Sequence, residues 1–225
     1  MGKKTICLSA GHQPGYDPGA CSGGLEEAEL NVKIVEKTAR IIRSHGVGCL
    51  VVPDNLNLPQ VVGWVNDRAD QIDVAVEVHV NAGGGTGVEA WHYTKSEPSK
   101  KLAQFLADAM AVETGLKNRG AKDEKDCRFG YLYFVHNTKP LAALAECGFI
   151  DNDKDRELLK TNEGLEMFAK GVARGILGYI GVDWKPPTSN NGSDVPTNPC
   201  EELKKELNKL KESVGKAVNE LKQWL

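Results

Sequence analysis

The 225-residue chain is long enough for one ordinary catalytic domain plus a small appendage, so a full apolar core needs neither disulfides nor a structural metal. Hydrophobic residues make up 40% and charged residues 26%, and a formal net charge of -3 gives no footing for nucleic acid as a partner. The basic start Met1-Gly2-Lys3-Lys4 is followed by an apolar run over only 6–8, too short for a signal peptide, and no long uncharged apolar stretch suits a transmembrane helix.

Short apolar strands alternate with amphipathic helices, the pattern of an α/β domain with a largely parallel twisted sheet flanked by helices on both faces. Residues 5–9 read as the first strand. A helix follows over 27–44, with Leu30, Ile34, Ala39, Ile41 and Ile42 on its apolar face and Gly46 closing it. Residues 48–53 supply a second strand, 59–72 a second helix, and the valine-rich 73–80 a third strand. Residues 87–93 alternate as a further strand on the sheet's edge, and Ser96 with Pro98 opens a helix running to about 114. The charged, glycine-containing stretch 117–129 has no apolar period and reads as a surface loop beside the cleft. Residues 141–146 form a short strand, followed by helices over 153–160 and 163–180.

The catalytic domain is thus expected over 1–183. Residues 184–199 have the Pro, Ser and Asn content of a linker. Beyond it, over 200–225, Leu203, Leu207, Leu210, Val214, Ala217, Leu221 and Trp224 fall on a heptad seam. Such a short amphipathic helix is marginal alone, which points to a homo-oligomer through it, or to docking on the core. Its polar face mixes both signs, which does not favour a membrane surface.

Cys7, Cys49 and Cys147 lie in apolar runs, while Cys21, Cys127 and Cys200 lie in polar segments without C-x-x-C pairing. That scatter suits reduced thiols and synthesis in the cytosol.

Chemistry gathers at one edge of the expected sheet. His12 follows the first strand, His79 ends the third, and Glu146 ends the strand over 141–146; Glu27 opens the helix that leaves the same edge. Open α/β sheets bind ligands there, because parallel strand ends and their loops line a common crevice. Two imidazoles and one carboxylate match a catalytic zinc, which takes three protein ligands and keeps one open position; a fourth residue, Glu146, is then free to act as base. Glu26, Glu27 and Glu29 all stand near the ligand position.

The motifs Ser9-Ala10-Gly11-His12, Leu25-Glu26-Glu27-Ala28-Glu29-Leu30-Asn31, Val78-His79-Val80-Asn81-Ala82 and Ala145-Glu146-Cys147-Gly148-Phe149-Ile150-Asp151-Asn152 resemble, in order and spacing, the zinc N-acetylmuramoyl-L-alanine amidases of the amidase-3 type found in bacterial autolysins and phage endolysins. The resemblance spans about residues 3 to 180. It implies zinc as cofactor, His12, Glu27 and His79 as its ligands, Glu146 as the catalytic glutamate, and bacterial peptidoglycan as substrate. Glu27 is singled out because the family's ligand glutamate stands four residues before the position of Asn31. The architecture also resembles a phage lysin, which a membrane-permeabilising partner lets through to the wall.

Other positions carry smaller expectations. The family's first motif begins with Asp-Pro, whereas Ser9-Ala10 stands here, so the carboxylate that orients His12 is missing; Asp17 and Gly19 read as loop-shaping residues. Arg68 is expected in an ion pair or in packing, His45 as a helix-end residue, His92 on the surface, and His136 in a loop with a chance of facing the cleft. Rival readings are a cysteine hydrolase using Cys147 or Cys7, a zinc peptidase of the stem peptide, and a non-catalytic wall-binding module centred on the C-terminal helix.

Overall fold

A computed structural model describes residues 4–186. The linker expected over 184–199, apart from its first three residues, and the heptad helix over 200–225, with any oligomer through it, lie outside the described residues.

The chain begins with strand β1 (Thr5–Ala10), then a small hairpin, β2 (Cys21–Ser22) and β3 (Leu25–Glu26), that leads into helix α1 (Glu27–Ser44). Strand β4 (Gly48–Val51), helix α2 (Leu58–Asn66) and strand β5 (Val74–Asn81) follow, then β6 (Val88–His92), α3 (Glu97–Thr114) and β7 (Asn118–Asp123). A short helix α4 (Tyr133–Asn137), the long strand β8 (Leu141–Phe149), and helices α5 (Asp153–Leu159) and α6 (Asn162–Tyr179) complete the fold.

Helix starts follow local side-chain chemistry. Asn57 and Gln60 form a reciprocal capping box at α2, Ser96 caps α3, and Thr161 caps α6, each satisfying backbone N–H groups with no partner inside the helix. Helix α2 stops at Asn66, short of the expected 72, because the backbone then tightens into i to i−3 turns such as Arg68 N to Val65 O and Gln71 N to Arg68 O.

The six-stranded sheet runs β4-β1-β5-β8-β6-β7. Strands β4, β1, β5 and β8 are parallel neighbours, while β6 runs antiparallel to β8 and carries β7 parallel to itself. On one face Ile6, Leu8, Val74, Val76 and Val78 pack under α1, α3 and α6; on the other Cys7, Ala75, Ala142 and Leu144 pack against α2 and α4. Each fully buried aliphatic side chain contributes about 1.5–3 kcal/mol, so these two layers hold the sheet rigid.

Two expectations need correction. The stretch read as a surface loop contains β7, which lies at the sheet's edge and is held by its backbone ladder to β6; its residues are mostly half-exposed and polar, so no apolar period announces it. Consequently β6 is an interior strand, and His92 is buried, with 5% of its surface exposed and Nδ1 placed 3.1 Å from the Tyr93 carbonyl.

Candidate metal centre and active site

Strand alternation puts Glu77, His79 and Glu146 on the face that α2 and α4 cover, but at the carboxyl end of the strands, where the apolar layer stops. Three donors converge there. His12 stands in the turn after β1, Glu27 is the first residue of α1, and His79 lies near the end of β5. His12 Nε2 is 3.4 Å from Glu27 Oε2, and His79 Nδ1 is 2.9 Å from Glu27 Oε1. The two rings meet edge to face with centroids 5.1 Å apart, and one donor atom from each of the three residues lies within 4.8 Å of the others.

The outward nitrogens of both rings are held by carboxylates. His12 Nδ1 lies 2.9 Å from Asp17 Oδ2, and His79 Nε2 lies 3.3 Å from Glu77 Oε2. A carboxylate on one ring nitrogen fixes the tautomer and leaves the other nitrogen's lone pair for a cation. Asp17 is therefore more than a loop-shaping residue: it is the orienting carboxylate that the altered Ser9-Ala10 motif lacks, supplied from downstream. Its other oxygen also accepts from Gly19 N at 3.2 Å.

Glu27 is fixed from two sides, by Ala20 N at 2.9 Å and Val80 N at 3.3 Å, and only 5% of its surface is exposed. Glu26 and Glu29 are exposed, and Glu29 pairs with Lys33. Of the three neighbouring acids, only Glu27 is buried and joins the two imidazoles.

Two glycines make room for this cluster. A Cβ at Gly11 would stand 2.1 Å from the His79 ring, and one at Gly19, where φ is +65°, would stand 2.7 Å from both Glu27 Oε2 and the His12 ring. His12 itself takes a left-handed backbone with φ 64°, a conformation that costs on the order of 1 kcal/mol or more and that turns its ring back over the sheet edge.

The charges are strongly coupled. Burial pushes the Glu27 carboxyl up, but the two imidazoles outweigh it and hold Glu27 well below the usual carboxylate range. Glu27 in turn raises His12, through its hydrogen bond first and against the cost of burial. Burial depresses His79, yet Glu27 and Glu77 raise it well above its ordinary value.

Glu146 is the direct cross-strand partner of His79 on one side and of Glu89 on the other. Its Oε2 is buried and has no hydrogen-bond partner among the described residues. Burial pushes its carboxyl up to about 8; Glu27 and Glu89 add to the shift, while His79 and His12 oppose it. A half-buried carboxyl with one buried, unpartnered oxygen beside two imidazoles and a carboxylate is the environment in which acid–base residues are found.

The family model described as N-acetylmuramoyl-L-alanine amidase matches residues 6–178. The chain belongs to this family. It is 34% identical over 191 residues to the endolysin of Bacillus phage SPP1, an alignment covering 81% of this chain and 68% of that protein. Among solved structures it is similar to the catalytic domain of CwlV, an N-acetylmuramoyl-L-alanine amidase from Bacillus (Paenibacillus) polymyxa, with a TM-score of 0.70 and 25% identity over 80% of this chain and 99% of that one. The catalytic domain of the CD27L endolysin superposes with a TM-score of 0.61 and 27% identity, covering 78% of this chain and 97% of that one. The chain is accordingly a hydrolase of the amide bond between N-acetylmuramic acid and L-alanine in peptidoglycan.

The remaining expectations sort around the amidase site. Cys147 faces the opposite layer with its Sγ 3.7 Å from Met110 Sδ, and burial pushes its thiol up; Cys7 is likewise buried, its thiol pushed up to about 12. Neither is an activated nucleophile. His45 is satisfied at the end of α1 by Ile41 O at 2.8 Å and stacks on Trp184. Arg68 packs over the Trp64 ring at 4.0 Å and donates to Trp64 O. His136 is on α4, half-exposed, with Nδ1 3.0 Å from Glu124 Oε1.

Sequence reading missed Glu77, Glu89 and Arg119. Glu89 is buried, accepts from Arg119 Nε at 2.6 Å and from Asn81 Nδ2 at 3.0 Å, and stands beside Glu146. The available signal was period two: Glu77 stands two residues before His79 in an otherwise apolar strand, which places both on one face.

Proposed function

We propose that this amidase is a zinc enzyme in which His12, Glu27 and His79 hold the ion and Glu146 moves the proton. The observation that carries this reading is the pair of outward ring nitrogens held by Asp17 and Glu77, which leaves His12 Nε2, His79 Nδ1 and the Glu27 carboxylate facing one another. Two nitrogens and one oxygen without thiolate suit catalytic zinc with an open position. The chemistry supplied by such an ion when bound is Lewis acidity: water becomes nucleophilic near neutral pH and a carbonyl oxygen is polarised.

Glu146 takes a proton from the water that attacks the lactyl carbonyl and passes it to the amine of L-alanine as the C–N bond breaks. Burial pushes the Glu146 carboxyl up to about 8 in the metal-free protein; a cation held by His12, Glu27 and His79 would offset Glu27 and Glu89 and favour the carboxylate form of Glu146 that accepts the proton. Asp17 and Glu77 keep the imidazoles oriented throughout. The likeness to the phage SPP1 endolysin supports a lysin that reaches the wall once a membrane-permeabilising partner gives it access.

Digestion of purified peptidoglycan, with and without chelator, tests the reading. Intact stems bearing new L-alanine amino termini are expected, lost on chelation and restored by zinc. Stem fragments would make it a peptidase, binding without new amino termini a wall-binding module, and resistance to chelator with sensitivity to alkylation a cysteine enzyme.

A further inference from the structure

We infer that Ser9 and Glu77, side by side on β1 and β5, form a single place for the carboxylate that aims His79: Glu77 fills it, and Ser9 is held small and uncharged so that only one carboxylate stands behind the ring. The two residues are thereby exchangeable. This rests on the proposed reading of His79 as a zinc ligand.

Parallel register pairs Ser9 with Glu77. Alternation puts both on the face of Cys7 and Ala75, about 4.8 Å apart across the strands. Both are buried, Ser9 with 1% and Glu77 with 3% of its surface exposed. A buried carboxylate is costly unless it is paired. Among the described residues the Glu77 side chain has one polar partner, His79 Nε2 at 3.3 Å. On the other side of Glu77, β8 places Leu144 in register. The Ser9 hydroxyl reaches only Ala10 O among the described residues, at 3.5 Å, the far limit of a hydrogen bond. Its own bonding therefore does not account for a serine here.

The lie of the His79 ring brings β1 into the matter. A Cβ on Gly11 would stand 2.1 Å from His79 Nε2, so this nitrogen leans over the β1 chain and away from its own strand. Gly11 continues the ladder just past β1, its N–H donating to Val78 O at 2.8 Å. Positions 9 and 11 share a face, two residues and roughly 6.6 Å apart. Positions 9 and 77 thus flank one nitrogen from two adjacent strands, and a carboxylate can serve it from either. From both at once, two like charges would stand directly opposite each other in a buried layer, which is destabilising. Ser9 is a positioning residue through Glu77: by staying neutral it leaves Glu77 aimed at the ring.

The experiment measures zinc affinity of the full chain by chelator competition, with the Tm of each metal-free variant beside it. Glu77→Ser is expected to weaken zinc binding about 10–100-fold, the usual effect of removing a carboxylate behind a ligand histidine. Ser9→Glu is expected to weaken zinc binding and to lower the Tm, whereas Ser9→Ala leaves the affinity at the parent value. The exchanged pair, Ser9→Glu with Glu77→Ser, is expected to recover most of both losses, a non-additivity that independent sites do not show. Losses that add in the exchanged pair, an exchanged pair that does not fold, or parent-like affinity in Ser9→Glu overturns the inference. So does a loss in Ser9→Ala, which would give the hydroxyl a role of its own. If Ser9→Glu alone does not fold, the exchanged pair still decides. If the parent binds no zinc, or His79→Ala binds it as the parent does, the reading of His79 falls first and this inference with it.

Discussion

Asp17 and His12 stand five residues apart in the same loop, and the Asp17 carboxylate meets the outward nitrogen of the His12 ring at 2.9 Å. A partner that orients a metal-binding imidazole typically contributes 10–100-fold in metal affinity. Asp17→Ala is therefore expected to weaken zinc binding by about that factor without unfolding the protein, since Asp17 is largely exposed. Chelator competition measures it; unchanged affinity would return Asp17 to a role in the turn alone.

Glu146 and His79 are cross-strand neighbours with different tasks, and their variants separate. Glu146→Gln is expected to retain zinc and lose roughly 10²–10⁴-fold in kcat, the usual size of a general acid–base contribution. His79→Ala is expected to lose zinc and activity together. Metal content by elemental analysis, set beside lysis rates, distinguishes the two; parent-like lysis by the Glu146 variant would refute the assignment of roles.

The metal-free protein should lose stability as pH rises through neutrality. His12, His79 and Glu146 all have folded values above their unfolded ones, so the stability they contribute is complete below the unfolded values and disappears as pH passes the folded ones. For Glu146 that window runs from 4.5 to about 8. Glu27, shifted downward, has already delivered its share above its unfolded value of 4.5 and stays constant across the range. Calorimetry of the apo form is expected to show a falling Tm that Glu146→Gln flattens. Zinc must displace ring protons, so its stabilising effect should grow with pH.

Arg119 is the cation beside buried Glu89, with its guanidinium also 4.9 Å over the Phe149 ring. Removing it strands a carboxylate that is 2% exposed. Arg119→Ala should cost about 3 kcal/mol in urea unfolding, and the double variant with Glu89→Gln should recover most of that. A cost under about 0.5 kcal/mol would mean that Asn81 alone satisfies Glu89.

The α/β fold was legible because apolar periodicity reports burial directly. The 27–44 helix has the bounds expected of it, and the parallel strands β1, β5 and β8 were visible as apolar runs, β6 as an alternating one. Strand β7 was not, because an edge strand is held by backbone hydrogen bonds that leave no mark on side-chain pattern. Taking β7 for a loop then put β6 at the edge and His92 on the surface. At the site, His12, His79 and Glu146 were legible as polar residues at strand ends. Asp17 was not, since the turn that folds it back depends on the left-handed backbone at His12.

The two glycines packed against the proposed ligands carry a hereditary consequence. Alanine, the smallest possible replacement, already intrudes on the His79 ring at position 11 and on Glu27 at position 19. In a library covering every substitution at every codon, selected for lysis, Gly11 and Gly19 will stand with the ligands as columns where no other amino acid survives, although neither contributes an atom to the reaction.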